Sequence, residues 1–375
     1  MLFRSKLVNN LNLKKLKLRN FRSHKSLDLD FYSHFIYFSG PNGVGKTNIL
    51  EAISLFSPGR GLRGANINDL INNNSGKLWD LFSIFKVSNI LIEIEIGLDD
   101  KGRKNLRIDG KKKPLIYLTE LFKIIWITPL MDRLWIGGSS DRRRFLDRLV
   151  MNFFPKHAKN CIIYEQALKK RNLLLKENEK DLAWFLAVEK QLALIGYQID
   201  KYRREVIELL IEMQINMKYQ GFLPILNIEL DTQPIKSSEE LLEEFQKSRQ
   251  TDLKAKRTLV GPHKTDLLVS HSVKNIQAKN CSTGEQKSLL LSFFILSSLA
   301  ISKKFGKPPI ILLDEIVAHL DKENLSIFLQ QLININAQIF ATGTDIKNLD
   351  ILPYDIQSYS IDWSENNSKV LLNKN

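Results

Sequence analysis

"GPNGVGKTNIL", residues 40–50, is the stretch on which the reading of this chain turns. It fits the pattern G-x-x-x-x-G-K-[ST], with Gly40, Gly45, Lys46 and Thr47 at the fixed positions. An apolar run, "HFIYFS" (34–39), leads into it. Ile49, Leu50, Ile53 and Leu55 follow at helical spacing. Strand, loop and helix in that order predict a phosphate cradle built from Gly40, Pro41, Asn42, Gly43, Val44, Gly45, Lys46 and Thr47. Glycines are needed because the backbone must curl until successive N–H groups point at one anion; a Cβ there would meet phosphate or force an unfavourable φ. The helix N-terminus adds partial positive charge. On this reading Lys46 reaches the β/γ-phosphates of ATP, and the Thr47 hydroxyl ligates Mg²⁺.

A phosphate cradle alone does not name a reaction, and three further stretches narrow it. "IILLDEI" (310–316) places Asp314 and Glu315 at the end of an apolar strand. Asp314 would hold Mg²⁺ and Glu315 would polarise an attacking water, while Lys46 steadies the transferring group. "CSTGEQ" (281–286) puts Ser282, Thr283 and Gly284 at the start of a long apolar helix, a second anion-binding turn. One chain with two such turns makes sense if Ser282, Thr283 and Gly284 face the ATP of a second copy, so that two heads enclose two nucleotides head to tail. The plainer reading of this turn is an N-cap by Ser282 with Glu285 at the third helical position. "AHLD" follows, and Asp321 would then lie at the dimer seam; capping the next helix is its plainer role.

The chain has 375 residues, 43% of them hydrophobic and 26% charged. That is enough to bury sizeable cores without disulfides. The two cysteines, Cys161 and Cys281, are far apart and form no CxxC, which argues against a zinc site and fits a reducing, cytoplasmic setting. The longest apolar run, residues 288–302, is short of the ~20 residues that span a bilayer, so it reads as a buried helix and no membrane association is expected. Strand-like patterns occupy 12–18, 34–39, 89–98 and 123–129. From Ser140, offered as an N-cap, to about residue 250 the pattern is helical; short apolar runs at 308–316 and 337–345 then read as buried parallel strands. The expected organisation is α/β. A P-loop ATPase head is formed by 1–128 with 256–375, interrupted by a helical arm at 129–255.

The four motifs together resemble the ABC-type ATPase heads of the SMC/Rad50 group, without a long coiled coil, and more closely the bacterial RecF family of recombination mediators. The segments that carry the resemblance run in family order. They are "LRNFRSH" (18–24), "GPNGVGKTNILEAI" (40–53), "SPGRGLR" (57–63), "RIDGKK" (107–112), "GGSSDRRRFLDRL" (137–149), "YEQALKKRNLLL" (164–175), "LVGPHKTDL" (259–267), "CSTGEQKSLLLSFF" (281–294) and "LLDEIVAHLD" (312–321). The resemblance implies an ATP-dependent homodimer on double-stranded and gapped DNA, and a weak, DNA-stimulated ATPase. It further implies action with RecO and RecR in loading RecA, and a place in replication, repair and the SOS response to DNA damage. Two departures from ABC transporters stand out. "WITPLMD" lacks their glutamine, and "ATGTD" puts Thr342 and Thr344 where they carry a switch histidine. Both fit a slow ATPase used as a timer.

The formal net charge is +14, which favours a polyanionic partner. The DNA candidates are Lys111, Lys112 and Lys113 on a hairpin tip, Arg142, Arg143 and Arg144 at the start of the arm, and Lys169, Lys170 and Arg171 within it. No aromatic residues interleave with them, so contact with phosphates rather than bases is expected. Arg143 could instead pair with Asp147 four residues on. A second functional reading, an SMC-like protein scaffold gated by ATP and not acting on DNA, is consistent with the same motifs.

Overall fold

The structure, a computed structural model, describes residues 11–57, 59–72, 78–99, 101–216, 223–315, 322–344, 356–364 and 367–373. Its contacts divide the chain into two compact units. One takes the chain up to Asp132 and from Leu290 onward; the other takes Arg133–Lys218 and Pro224–Leu289.

The first unit holds two six-stranded sheets. Strands β1 (Leu11–Phe21), β2 (His24–Asp30), β4 (Asp80–Val87), β5 (Ile90–Leu98), β6 (Lys104–Ile108) and β7 (Lys111–Lys113) form an antiparallel sheet in the order β2-β1-β4-β5-β6-β7. Its strands alternate as a one-faced sheet must: Leu16, Leu18, Leu81, Phe85, Ile94 and Ile96 point inward and are buried. Strand β7 is the edge, and its three lysines suit an edge that must not pair with another chain.

The second sheet has the order β15-β14-β3-β13-β12-β8, from β3 (Phe35–Ser39), β8 (Ile124–Ile127), β12 (Ile310–Leu313), β13 (Ile339–Gly343), β14 (Ile356–Ser364) and β15 (Asn367–Leu372). Here β8, β12, β13, β3 and β14 run parallel, and β15 returns antiparallel. All four residues of β12 are buried, as expected for a strand covered on both faces. Among the described residues, α1 (Lys46–Ser54), α2 (Leu118–Leu121) and α8 (Lys322–Asn334) also belong to this unit. Helix α1 is short but buries Ile49, Leu50, Ala52 and Ile53 completely. At about 1.5–3 kcal/mol for each large apolar side chain, that burial anchors the helix against the sheets.

The second unit contains α3 (Ser139–Phe153), α4 (Lys156–Glu177), α5 (Leu182–Asn216) and α6 (Ser238–Ala255). A three-stranded antiparallel sheet of β9 (Leu226–Leu230), β10 (Leu267–His271) and β11 (Ile276–Gln277) joins them. Tyr164, Leu192, Ala193, Leu241 and Phe245 form a core among α4, α5 and α6. Helix α7 (Thr283–Phe305) begins in this unit and ends in the other. By length and composition it is apolar enough to cross a membrane, yet Leu289, Phe293, Ile295, Leu296 and Ile301 are packed inside the protein.

The division differs from the sequence expectation. Residues 256–289 go with the helical arm rather than with the head. The reason is physical: β10 pairs with β9, and Asp266 takes a two-pronged ion pair from Arg142 of α3. Helix α3 also starts two residues earlier than expected, with Gly138 in the cap position and Ser140 already inside the first turn.

Candidate phosphate site and signature turn

Strand β3 ends at Ser39, and the loop that follows delivers its chain to α1. Gly40, Gly43 and Gly45 all have positive φ, of 148°, 86° and 103°. Gly45 shows why no other residue serves there. A Cβ would lie 2.4 Å from Ser23 Oγ and 2.7 Å from Ser368 Oγ. Gly40 is closed from behind as well: a Cβ would sit 2.2 Å from the Ile361 carbonyl of β14. Lys46 is buried and its ammonium donates to the carbonyls of Gly40 and Pro41, at 2.6 and 2.8 Å. Burial lowers its pKa, while the nearby charges of Glu315 and Asp314 act in the opposite sense.

Thr47 and Asp314 meet although 267 residues separate them: the Thr47 hydroxyl donates to Asp314 Oδ1 at 2.8 Å. The meeting follows from the sheet, because β3 and β12 flank β13 and all three end at the same edge. Thr342, at the end of β13, donates to the same carboxylate oxygen at 2.9 Å and accepts the Glu315 N–H at 3.0 Å. Thr342 therefore clamps the two acidic residues. Burial raises the Asp314 pKa, with both threonine hydroxyls pulling it back. A hydroxyl and a carboxylate side by side are the hard oxygen donors that Mg²⁺ takes, so the donor set fits that ion. Glu315 is partly exposed and has φ of 51°, a left-handed backbone uncommon for a non-glycine residue and frequent at functional sites. Thr344 is exposed.

An ion-pair network around one buried carboxylate supports the helix that carries this site. Arg22 makes a two-pronged pair with the fully buried Glu51, at 2.9 and 2.8 Å. Arg63 lies 3.6 Å from the same carboxylate and donates to Asn48 Oδ1 at 2.9 Å. The sequence contains "LRNFRSH" and "SPGRGLR" but no spacing rule that ties either to Glu51.

In the second unit, Ser282, Thr283 and Gly284 are exposed, and no described residue stands within 4 Å of where a Gly284 Cβ would lie. The turn is built as a capping box. Glu285 Oε2 accepts both the Ser282 N–H and its hydroxyl at 2.8 Å, and the Glu285 N–H reaches back to Ser282 Oγ. Lys274, from the β10–β11 turn, pairs with Glu285. That pairing, with the Ser282 bonds, holds the Glu285 carboxyl down at about 2. Cys281 is buried and packs as a small hydrophobe. Asp321 and the rest of "AHLD" after Glu315 lie outside the described residues.

The basic candidates separate into two kinds. Lys111 and Lys112 are exposed on β7, following an Asp109–Gly110 turn with both residues at positive φ; Lys113 lies over the Tyr117 ring. Arg144 is exposed and pairs with Asp141. Arg142 is spent internally, on both Asp266 oxygens and on the carbonyls of Leu134, Trp135 and Gly137. Arg143 donates to the Thr265 carbonyl rather than to Asp147, which pairs instead with Arg203 and His157. Arg171 is fully buried between Glu189 and Asp252 and is removed from the phosphate contacts. Helical position alone could not show that its face turns inward.

Comparison with known proteins places these observations in one group. The RecF/RecN/SMC N-terminal domain family matches residues 12–349. The DNA replication and repair protein RecF of Rhizobium leguminosarum bv. trifolii is 37% identical over 347 residues, covering 89% of this chain and 93% of that protein. The protein of the same name from Mesorhizobium japonicum is 39% identical over 347 residues, covering 89% and 92%. Among solved structures, the recombination mediator protein RecF–ATPrS of the RecFOR pathway superposes with a TM-score of 0.84 at 24% identity, over 97% of this chain and 99% of that one. The Smc head domain of Pyrococcus furiosus gives 0.54 at 18%, over 96% of each chain. The fold is thus that of ABC-type ATPase heads, with α/β sheets and an added helical unit.

Proposed function

The chain belongs to the RecF family within the RecF/RecN/SMC group, and on that premise we propose that it is an ATP-gated, DNA-binding clamp of replication and recombinational repair. ATP binds in the cradle of residues 40–47. Two copies close on duplex DNA at single-strand gaps, act with RecO and RecR to favour RecA loading, and separate after slow hydrolysis. The observation that carries this reading is the meeting of Thr47 with Asp314 at 2.8 Å beside the cradle. Hydrolysis needs hard oxygen ligands for a divalent ion next to a phosphate loop, and two distant segments supply them there.

The geometry supports the following roles. Thr47 and Asp314 would hold Mg²⁺, which neutralises charge on the phosphates when bound. Lys46 presents its ammonium at the loop and steadies the charge that develops on the transferred phosphoryl group. Glu315, aimed by the Thr342 hydroxyl and its own left-handed backbone, orients the attacking water. The exposed Ser282–Gly284 turn grips the terminal phosphate of the partner's ATP. Lys111, Lys112 and Arg144 are the phosphate contacts to DNA, since Arg142 and Arg143 are committed inside their own unit.

A salt titration of binding to gapped duplex, with and without Mg·ATP, tests the proposal. Binding should tighten with ATP and weaken with salt, with a slope of about one for each phosphate neutralised. Affinity indifferent to both would leave only a protein scaffold.

A further inference from the structure

Two side chains from outside the cradle hold its backbone from behind. Ser368, on β15, donates its hydroxyl to the Val44 carbonyl at 2.6 Å. His24, the first residue of β2, places Nε2 3.2 Å from the Gly45 carbonyl. Its ring is fully buried, and Nδ1 has no hydrogen-bond partner among the described residues. Burial lowers the His24 pKa to about 4. The ring is therefore neutral near pH 7, and Nε2 carries the proton because only a donor can face a carbonyl oxygen.

The consequence lies in the peptide plane. In a trans peptide the C=O and the following N–H point in opposite directions. Holding the Val44 carbonyl at the back aims the Gly45 N–H forward; holding the Gly45 carbonyl does the same for the Lys46 N–H. Those are two consecutive donors of the cradle. The hydroxyl chain behind Ser368 has only one consistent direction. The Val44 carbonyl can only accept, so Ser368 spends its proton there. It then accepts from Ser23, whose oxygen accepts from Asn48 Nδ2.

We propose that Ser368 and His24 are positioning residues of the phosphate cradle, fixing two peptide planes so that the Gly45 and Lys46 N–H groups converge on the triphosphate before it binds. The inference rests on reading residues 40–47 as an ATP site. It makes the C-terminal β14–β15 hairpin a working part of that site. The hairpin's Ile361 carbonyl closes on Gly40, and its Ser368 holds Val44. Donors aimed in advance need no reorganisation on binding, so the gain appears as affinity.

The test uses the full chain and four variants: Ser368→Ala, Ser368→Thr, His24→Ala and His24→Gln. Mg·ATP affinity is measured by calorimetry, and the melting temperature of the nucleotide-free protein is measured beside it. The alanine variants should each raise Kd about 3- to 12-fold, the span of one lost hydrogen bond. Threonine and glutamine keep a donor in place and should restore Kd to within about twofold whatever they do to the melting temperature. Amide resonances of Gly45 and Lys46 in nucleotide-free protein should shift in Ser368→Ala and return in Ser368→Thr. Unchanged Kd in both alanine variants overturns the proposal. So does a loss of affinity that follows melting temperature alone and is not rescued by the donor-keeping variants. If instead wild type binds no Mg·ATP, or Lys46→Ala binds as tightly as wild type, the ATP-site reading fails and not this inference.

Discussion

Replacing Gly45 by alanine, with Gly43→Ala as its control, separates two demands on the cradle. Both glycines have positive φ, 103° and 86°, and an L-residue there costs about 1–2 kcal/mol. They differ in what stands behind them. Among the described residues nothing lies within 4 Å of a Cβ at Gly43, whereas one at Gly45 would stand 2.4 Å from Ser23 Oγ, 2.7 Å from Ser368 Oγ and 3.2 Å from His24 Nε2. Those atoms are already hydrogen-bonded in a buried cluster. Forcing them apart adds about 1–3 kcal/mol of overpacking. Gly43→Ala should therefore lose about 1–2 kcal/mol and Gly45→Ala about 2–5 kcal/mol. Urea unfolding of nucleotide-free protein, followed by tryptophan fluorescence, reads the difference; Trp79 and Trp126 lie in the same unit as the loop. Mg·ATP affinity should fall further for Gly45→Ala, because the displaced Val44–Lys46 backbone carries two of the donors. Equal stability losses in the two variants would refute the claim that the loop is walled from behind.

Glu315→Gln should bind Mg·ATP yet hydrolyse it at least about 100-fold more slowly, trapping a nucleotide-bound dimer visible by light scattering; a variant that stays monomeric with ATP removes Glu315 from catalysis. His24 gives a pH dependence. Its folded pKa, about 4, lies below the unfolded value of 6.5. Its contribution is thus complete above pH 6.5 and is lost as pH falls, because the unfolded chain takes up a proton that the folded one refuses. Between pH 7.5 and 5 this should cost about 2 kcal/mol; His24→Gln should flatten that part of the urea-midpoint profile, and an unchanged profile would contradict the assignment. Arg171→Met leaves the buried Asp252 without its guanidinium partner, while Glu189 keeps its pair with Arg249. It should destabilise the second unit by about 3–5 kcal/mol, whereas weakened DNA binding with unchanged stability would restore Arg171 to the DNA surface.

Much of the first unit was legible because its signals are local. β3 and β12 announce themselves as short apolar runs that end in chemistry, Gly40 after one and Asp314 after the other. The Asp109–Gly110 turn fixes the β6–β7 hairpin in the same way. What the sequence did not show is long-range partnership. Nothing near Ser368 marks it as touching Val44, 324 residues earlier. Thr342 stood out in the sequence only as the residue in place of a switch histidine, and its clamp on Asp314 and Glu315 depends on which strands lie side by side. The division by contacts departs from a boundary at 256 for the same reason: β10 groups with the arm through its pairing with β9, a fact of topology and not of pattern. Charge misled at Arg142, Arg143 and Arg171, whose guanidinium groups are committed internally. Arg171 sits in a basic run, but burial against two acids from other helices decides its role.

The most direct test is the mass in solution of the wild-type chain with and without Mg·ATP and duplex DNA, with Lys46→Ala and Ser282→Arg beside it. Nucleotide held between one copy's cradle and the other's serine turn requires the 43.3 kDa chain to double in mass only when ATP is present, and both variants to remain at the single-chain mass. A wild type that stays at that mass with ATP and DNA, or a Ser282→Arg variant that doubles as readily as wild type, would contradict it.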